Sequence, residues 1–309
     1  WSSEDPESFT SHYCCSYAIN KDISEEDALK GIRYHLVKAV EKRLMSDREI
    51  GCLLSGGLDS SLIASLVCHM KKGYRLIDDE WIMLSELEDK SLVKTFSIGM
   101  NGSPDLEYAK KVANHIGSDH NEVELSEVEF LDAIAEVIYK IESYDTTTVR
   151  ASVGNYLVSK FIKDNSDCKV IFNGDGADET CCGYVYNLNA PTPMAIHNES
   201  TRLLQEIYLF DVLRSDRSIS SNGLEARTPF LDKSFVDFYM SIPPEFKMFD
   251  KTNKIEKHLL RKAFEGDDIL PTEVLWRHKC AFSDGVSSVK SSWHKSVQEF
   301  VDTMVTDKE

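Results

Sequence analysis

The chain has 309 residues, which suffices for one large domain or for a main domain with a smaller attachment. Its 35 basic and 52 acidic residues give a formal net charge of −17, which argues against a general nucleic-acid-binding surface. No apolar run approaches the ~18 residues that a membrane span requires. The 8 cysteines lack the C-x-x-C spacing of a zinc or redox site, and we interpret them as reduced thiols of a cytoplasmic protein.

Helices and strands alternate in the first part of the chain. Residues 1–22 show no clear period and are interpreted as a lead-in or linker. Ser24 and Asp27 cap a predicted helix with an apolar stripe, and residues 50–54 then form a short buried strand. A glycine turn and a second helix follow. Residues 71–92 are charged, which indicates an exposed insertion.

Three further strands are predicted at residues 93–99, 120–125 and 168–173, with helices between them. Strands that alternate with helices predict an α/β fold with a parallel twisted sheet flanked by helices. From about residue 190 onward the pattern is mostly helical, and no clear strand is predicted.

Small residues and acids follow three of these strands. They occur at residues 55–61 (SGGLDSS), at residues 103–105 (SPD) and at residues 173–179 (NGDGADE). Because ligands bind at the carboxyl ends of parallel strands, we expect these segments to form one binding site.

The segment SGGLDSS has the most specific chemistry. A strand that turns through glycines into a helix offers free backbone N–H groups to an anion. The segment lacks the lysine of a Walker loop and the spacing of a dinucleotide turn. S-G-G-x-D-S is instead typical of the ATP pyrophosphatase loop, although a plain turn with Asp59 as helix cap is the alternative. Predicted phosphate contacts come from Ser55, Gly56, Gly57, Ser60 and Ser61, and Asp59 is a predicted Mg²⁺ ligand.

A family resemblance emerges at "GDGADE" (174–179). Together with "SGGLDSS", "GSPDLEYAKKVANHIG", "YDTTTVRAS", "LEARTPFLD", "EKHLLRKAF" and "WRHKCAFSDGV", it resembles the synthetase domain of glutamine-hydrolysing asparagine synthetases. The resemblance runs in order from about residue 25 to about residue 290. It implies an adenine nucleotide alpha-hydrolase-like fold with an ATP pyrophosphatase loop. It also implies a synthetase domain over residues 23–300, a tail over 301–309, and a lead-in that joins the domain to a glutaminase domain absent from this sequence.

The resemblance also implies an activity. Enzymes of this family use ATP and Mg²⁺ to convert the β-carboxylate of L-aspartate into β-aspartyl-AMP, and ammonia then releases asparagine and AMP. This chain alone is expected to use free ammonia, and to use glutamine only with a glutaminase domain upstream or on a separate partner. No nucleic-acid or membrane partner is expected, and the oligomeric state is left open, a homodimer included.

Residue roles follow from the matching motifs. By resemblance, Asp59 and Asp178 bind Mg²⁺, and Lys279 neutralises charge on the α-phosphate, with a surface ion pair as the alternative for Lys279. Lys257 either reaches the phosphates or lies on an exposed helix face. The predicted adenine and ribose pocket consists of Leu53, Ile98, Asn173 and Gly174. The predicted aspartate-binding groups are Thr147, Thr148 and Arg150, and the alternative is a helix cap with a solvated arginine. Glu225 and Asp232 are interpreted as structural.

One residue departs from the family pattern. Asp175 stands where the family usually has a glutamate that helps to form the adenylate and takes a proton from the attacking ammonium. Aspartate is shorter by about 1.5 Å, so we expect a re-set site, a slow enzyme or altered chemistry. From the sequence we expect Asp175→Glu to maintain or raise the rate, and a clear fall would mean that the site is rebuilt around the shorter acid.

Two other functions remain open. A β-lactam synthetase-like cyclase would adenylate a carboxylate and close it on an internal amine without ammonia. A nucleotide-binding module that has lost catalysis would bind ATP and release no pyrophosphate with aspartate.

Overall fold

Five parallel strands form the central sheet of the computed structural model, which describes residues 13, 15–84, 91–250, 254–280, 285–287 and 292–304. The strands lie in the order β5-β4-β1-β6-β7, and a separate antiparallel hairpin consists of β2 and β3. The bounds are β1 Glu49–Leu53, β2 Tyr74–Ile77, β3 Glu80–Met83, β4 Lys94–Met100, β5 Asp119–Leu125, β6 Cys168–Phe172 and β7 Glu225–Arg227.

Helices cover both faces of this sheet. Their bounds are α1 Glu25–Glu41, α2 Leu58–Lys71, α3 Pro104–Ile116, α4 Glu127–Asp132, α5 Ile134–Ile141, α6 Thr146–Asn165, α7 Ala177–Thr180, α8 Pro193–Gln205, α9 Asp211–Ser220, α10 Lys233–Ser241, α11 Pro244–Lys247, α12 His258–Ala263, α13 Thr272–Leu275 and α14 Trp293–Met304. Short 3₁₀ helices span Val185–Asn189, Ile207–Leu209 and Pro229–Leu231.

The sheet separates two apolar cores. Buried side chains of α1, α2, α3 and α12 pack on one face, where Phe172 is fully buried. Side chains of α4, α5, α6 and α14 pack on the other face, where Phe96 and Ile171 are buried. Both faces of the parallel sheet are therefore covered, as is usual for parallel sheets.

The predicted α/β fold with a parallel sheet is confirmed. The Ser24 cap also forms, because its hydroxyl accepts the backbone N–H of Asp27 at 3.1 Å. The expectation of no strand beyond residue 190 is wrong: β7 extends the sheet beside β6, but its three residues are too few to show a period.

Other predicted segments differ in detail. The insertion at 71–92 contains the β2–β3 hairpin, and residues 85–90 lie outside the described residues. The helix expected to run from 126 to about 141 is divided at Ala133 into α4 and α5. Most of the lead-in, residues 1–12 and 14, lies outside the described residues, and α14 extends to residue 304, into the predicted tail. None of the described helices combines the length and apolar character that crossing a membrane requires.

The strand order locates a crevice. From β1 the chain continues to β4 on one side of the sheet, whereas β6 returns on the other side. After β1 the chain leads toward β4 and after β6 toward β7, on opposite sides of this point in the sheet. The carboxyl ends of the strands at such a switch point are where open α/β sheets bind ligands.

Candidate functional site

A cavity of about 420 Å³ lies at the carboxyl ends of the strands. It is lined by residues from the turns after β1 and β6 and from segments as distant as α6 and residue 279. The predicted site residues that line it are Leu53, Ser55, Gly57, Asp59, Ser60, Ile98, Thr147, Arg150, Asn173, Gly174, Asp175, Asp178 and Lys279.

The glycine turn has the geometry of an anion site. Helix α2 begins directly after Gly57, so Asp59 lies in its first turn and does not cap it. The Ser60 hydroxyl accepts the backbone N–H of Ser55 at 3.1 Å and lies 2.9 Å from the Ser55 hydroxyl. The start of α2 therefore lines the cavity in a turn that its own hydroxyls brace, and the first N–H groups of a helix are available to an anion.

The two acid-bearing loops touch. A Cβ atom placed on Gly174 would lie 2.7 Å from the backbone nitrogen of Ser60 and 2.8 Å from the Asp59 carbonyl carbon. A side chain at position 174 would thus collide with backbone, which cannot yield as a flexible side chain can. Glycine here brings the turn after β6 against the start of α2.

Lysines join the carboxylates of these loops. Lys257 Nζ lies 2.5 Å from Asp59 Oδ2 and 2.6 Å from Asp178 Oδ1, and its side chain is 3% exposed. Lys279 Nζ contacts the other oxygen of Asp178. Lys257 therefore does not lie on an exposed helix face, and Lys279 does not form an ion pair at the outer surface, which were the two alternatives.

These contacts set the protonation states. Burial alone would raise the pKa of Asp178, but Lys257 and Lys279 outweigh it and hold that pKa below the ordinary value. Burial would likewise lower the pKa of Lys257, but Asp178 and Asp59 raise it. Asp178 is therefore ionised and Lys257 protonated at neutral pH, so the lysine can bind a phosphate and the carboxylate can bind a cation.

The pKa of Asp175 is shifted in the opposite direction to that of Asp178. The Asp175 carboxyl group is desolvated by burial, which raises its pKa to about 6. A group with a pKa near neutrality can both accept and release a proton during a reaction.

Arg150 and Thr147 face the cavity from the first turns of α6. The buried Nε of Arg150 has no hydrogen-bond partner among the described residues, so it is available to an anionic ligand. The backbone N–H of the neighbouring Thr148 donates to Asp145 Oδ2 at 2.8 Å, and this cap fixes the start of α6.

Three predicted residues do not line the cavity. The Ser61 side chain is fully buried, and its hydroxyl has no hydrogen-bond partner among the described residues. Gly56 packs against α3, and Thr148 lies beside the cavity rather than on its wall. Asp232 has a structural place, because it caps α10 and contacts Lys42 and Arg43.

The sequence reasoning missed an acidic group at the cavity wall. The hydroxyl of Tyr184 lies 2.6 Å from Glu179 Oε1 and 3.1 Å from Asp211 Oδ2. Burial and, to a smaller extent, the nearby carboxylates of Asp211 and Asp178 together raise the pKa of Glu179 to about 7. Asp211 also pairs with Arg214 at 2.5 Å. The sequence did contain one signal for this group: Asp211 and Arg214 are an acid and an arginine three residues apart at the start of a helix, a spacing at which side chains pair.

It also missed the groups that position Lys279. Glu256 Oε1 accepts the Lys279 backbone N–H at 2.7 Å and the Arg261 guanidinium at 2.7 Å. Arg277, two residues before Lys279, donates to the Gly56 carbonyl at 3.0 Å and to Asp105 at 2.9 Å. All lie inside motifs already quoted, but their partners are remote in the chain.

Comparisons with known proteins place the chain in a family by its sequence. The sequence profile of the asparagine synthase family matches residues 31–193 and 188–309. Asparagine synthetase [glutamine-hydrolyzing] of Homo sapiens is 51% identical over 282 residues, covering 91% of this chain and 48% of the relative. The Gallus gallus protein of the same description is 50% identical over 282 residues, with the same coverage of 91% and 48%.

The chain thus spans about half the length of these curated relatives. Among solved structures, NMN synthetase from Francisella tularensis has a TM-score of 0.38 and 11% identity, covering 93% of this chain and 89% of that chain. That similarity is too low to support any conclusion. The match of the profile and the identity of the relatives show that the chain belongs to the asparagine synthase family.

Proposed function

We propose that this chain catalyses the ATP-dependent amidation of L-aspartate to L-asparagine. The observation that carries the proposal is the single cavity in which the glycine turn, Lys257, Lys279 and Asp175 meet. An anion site, two cations and an acid with a pKa near neutrality are what carboxylate adenylation followed by amine attack requires.

In the first step, the β-carboxylate oxygen of aspartate attacks the α-phosphorus of ATP. The bond from that phosphorus to the oxygen bridging to the β-phosphate breaks, and pyrophosphate leaves. The N–H groups of the turn and Lys257 hold the pyrophosphate part, and Lys279 counters the negative charge that grows on the α-phosphate. Arg150 binds the α-carboxylate of aspartate, since its guanidinium suits bidentate contact.

In the second step, ammonia attacks the acyl carbon of β-aspartyl-AMP. The carbon–oxygen bond to AMP breaks, and the attached nitrogen must lose a proton. Asp175 accepts that proton, because its pKa of about 6 leaves it deprotonated at neutral pH yet able to hold a proton.

Asp59 and Asp178 fit a Mg²⁺ ion carried by ATP. Asp59 Oδ1 is buried without a hydrogen-bond partner among the described residues, and Asp178 faces it across Lys257. The described part of the chain contains no group of three or more metal-binding side chains. Mg²⁺ needs one or two carboxylates when phosphates and waters complete its ligands. When bound, it would supply Lewis-acid polarisation of the phosphoryl oxygens.

Pyrophosphate release with ATP and Mg²⁺ tests the proposal. We expect release that depends on both L-aspartate and ammonium, with asparagine and AMP formed in equal amounts. Lys279→Ala should lower this rate by at least ~10²-fold, because it removes a charge that stabilises the transition state. Release without an added amine would favour a cyclase instead, and ATP binding without any release would favour a nucleotide-binding module.

We also propose a wider arrangement. A linker at 1–22, a synthetase domain at 23–300 and an upstream or separate glutaminase domain would let glutamine supply the ammonia. The support is that the relatives are named for glutamine hydrolysis and are about twice as long. A cytoplasmic location is supported by the buried, unpaired thiols of Cys52, Cys68 and Cys168.

A further inference from the structure

The short acid at position 175 is held by two neighbours. Asn173 follows β6, and its amide makes two contacts with Asp175: Oδ1 accepts the backbone N–H at 3.2 Å, and Nδ2 donates to Oδ2 at 2.6 Å. Since the backbone N–H requires an acceptor, the first contact fixes which end of the amide faces the carboxylate.

The second neighbour comes from another element. Ser215, on α9, donates its hydroxyl hydrogen to the same Oδ2 of Asp175 and accepts from Asn173 Nδ2 at 3.3 Å. Both neighbours are buried, with 3% exposure for Asn173 and 4% for Ser215. Among the described residues, the side-chain hydrogen bonds to this carboxylate all fall on Oδ2, and Asp175 is one of the residues that line the cavity.

We propose that Asn173 and Ser215 are positioning residues that re-set the site around an aspartate at position 175. This inference rests on the proposed function, because it assigns the orientation of the group that takes the proton from the nitrogen of the attacking ammonia. We call Asn173 and Ser215 together the clamp. The clamp fixes the Asp175 carboxylate against the end of β6 and directs one of its oxygens toward the reacting nitrogen. A glutamate would carry its carboxylate about 1.5 Å farther and leave the buried donors of Asn173 and Ser215 without their acceptor.

The clamp also tunes the acid. Burial and the carboxylates of Asp211 and Asp59 raise the pKa of Asp175, whereas the Ser215 hydrogen bond and Arg214 lower it. A hydroxyl that donates to the ionised form stabilises that form, so losing Ser215 must raise the pKa further. The base would then be protonated over a wider pH range.

Ser215→Ala tests the clamp. We expect kcat for aspartate- and ammonium-dependent pyrophosphate release to fall roughly tenfold, with the acid limb of the pH profile about one unit higher. KM for ATP and for aspartate should stay nearly unchanged, because Ser215 does not bind either substrate. Ser218→Ala is the matched control: Ser218 is a buried serine on the same helix, away from the cavity wall. An unchanged kcat and pH profile for Ser215→Ala would overturn the proposal.

Asp175→Glu gives a second test, and the clamp reverses the expectation stated from the sequence. The longer acid should lower kcat, and adding Ser215→Ala should then cost little more, because the clamp is already broken. If Asp175→Glu is faster than the original chain, or if the two losses multiply independently, the clamp has no role.

A third measurement needs no turnover. ¹³C NMR titration of aspartate carboxyl groups, with the Asp175 signal assigned by Asp175→Asn, should give a higher pKa in Ser215→Ala than in the original chain. An equal pKa would refute the clamp even in an inactive protein. If the original chain shows no aspartate-dependent pyrophosphate release but the pKa moves as expected, the proposed function fails while the clamp stands.

Discussion

Lys257 is the residue on which the charge balance of the site depends. It lies between Asp59 and Asp178 with almost no exposed surface, so water cannot readily replace its contacts with either carboxylate. A buried ion pair of this kind adds little net stability, but removing one partner leaves an uncompensated charge. The two acids would then repel each other across the phosphate-binding turn.

Lys257→Met should therefore destabilise the protein by about 3–5 kcal/mol and abolish ATP binding. Lys262→Met is the control, because Lys262 lies on α12, which begins directly after Lys257, and contacts Glu25 at the surface. It should cost less than about 1 kcal/mol. Urea unfolding at neutral pH and ATP titration measure both quantities, and equal losses for the two variants would contradict this account of Lys257.

Sequence reasoning at this scale identified residues whose chemistry is local. Asp59 lies in a short motif that is typical of phosphate chemistry, and Asp175 was singled out by the family resemblance. Ser215 and Glu256 escaped notice because a serine on a helix and a glutamate before a lysine carry no such pattern. Their importance comes from partners 40 and 23 residues away, which only the folded chain brings into contact.

At the scale of elements, the glycine turn after β1 is packed between helices rather than free. Gly56 has a φ of 70°, in the left-handed region. A Cβ atom there would lie 2.5 Å from the backbone nitrogen of Ala109 and from Tyr108 Cβ, both on α3. Gly57 has a φ of −78°, and its Cβ atom would meet Ser55 Oγ at 3.4 Å. The two glycines therefore have different physical reasons for being small.

Gly56→Ala should destabilise the protein by about 3 kcal/mol, since backbone strain and the collision with α3 add together. ATP binding should be lost with it, because the turn must shift. Gly57→Ala should fold with near-normal stability, and any loss of ATP affinity there would report close approach of a phosphate to the turn. Thermal unfolding and ATP titration of both variants measure this, and similar unfolding temperatures would show that α3 does not constrain the turn.

The elements that a sequence predicts best are the long periodic ones. Helices α1 and α3 have clear start or stop signals, and β4 and β6 are rich in apolar residues, so all four were expected. The β2–β3 hairpin and β7 were missed, since strands of three or four residues depend on pairing for their stability. Their existence is a property of the tertiary fold.

At the scale of the whole molecule, the site joins distant parts of the chain. Asp59 contributes from the first βα unit, Asp178 from the middle, and Lys257 and Lys279 from the C-terminal part. Arg277 adds a further link, because it stacks over the Tyr108 ring at 4.0 Å and binds the Gly56 carbonyl. The unfolded chain has no such arrangement, so a ligand of this site should bind the folded state alone.

Ligand binding should consequently stabilise the entire fold. ATP with Mg²⁺ at about 100 times Kd should add about 2.7 kcal/mol, and raise Tm by about 5 °C in a protein of this size. Chelation of the Mg²⁺ should remove most of this increase, and Asp59→Asn should remove it too, because that acid is a proposed ligand of the ion. Asp164→Asn, at an exposed position on α6, should retain the full increase. Differential scanning calorimetry with and without ATP measures each shift. If the rise in Tm persists after chelation and in Asp59→Asn, ATP binding does not depend on Mg²⁺ held by this carboxylate, which would contradict the proposed site.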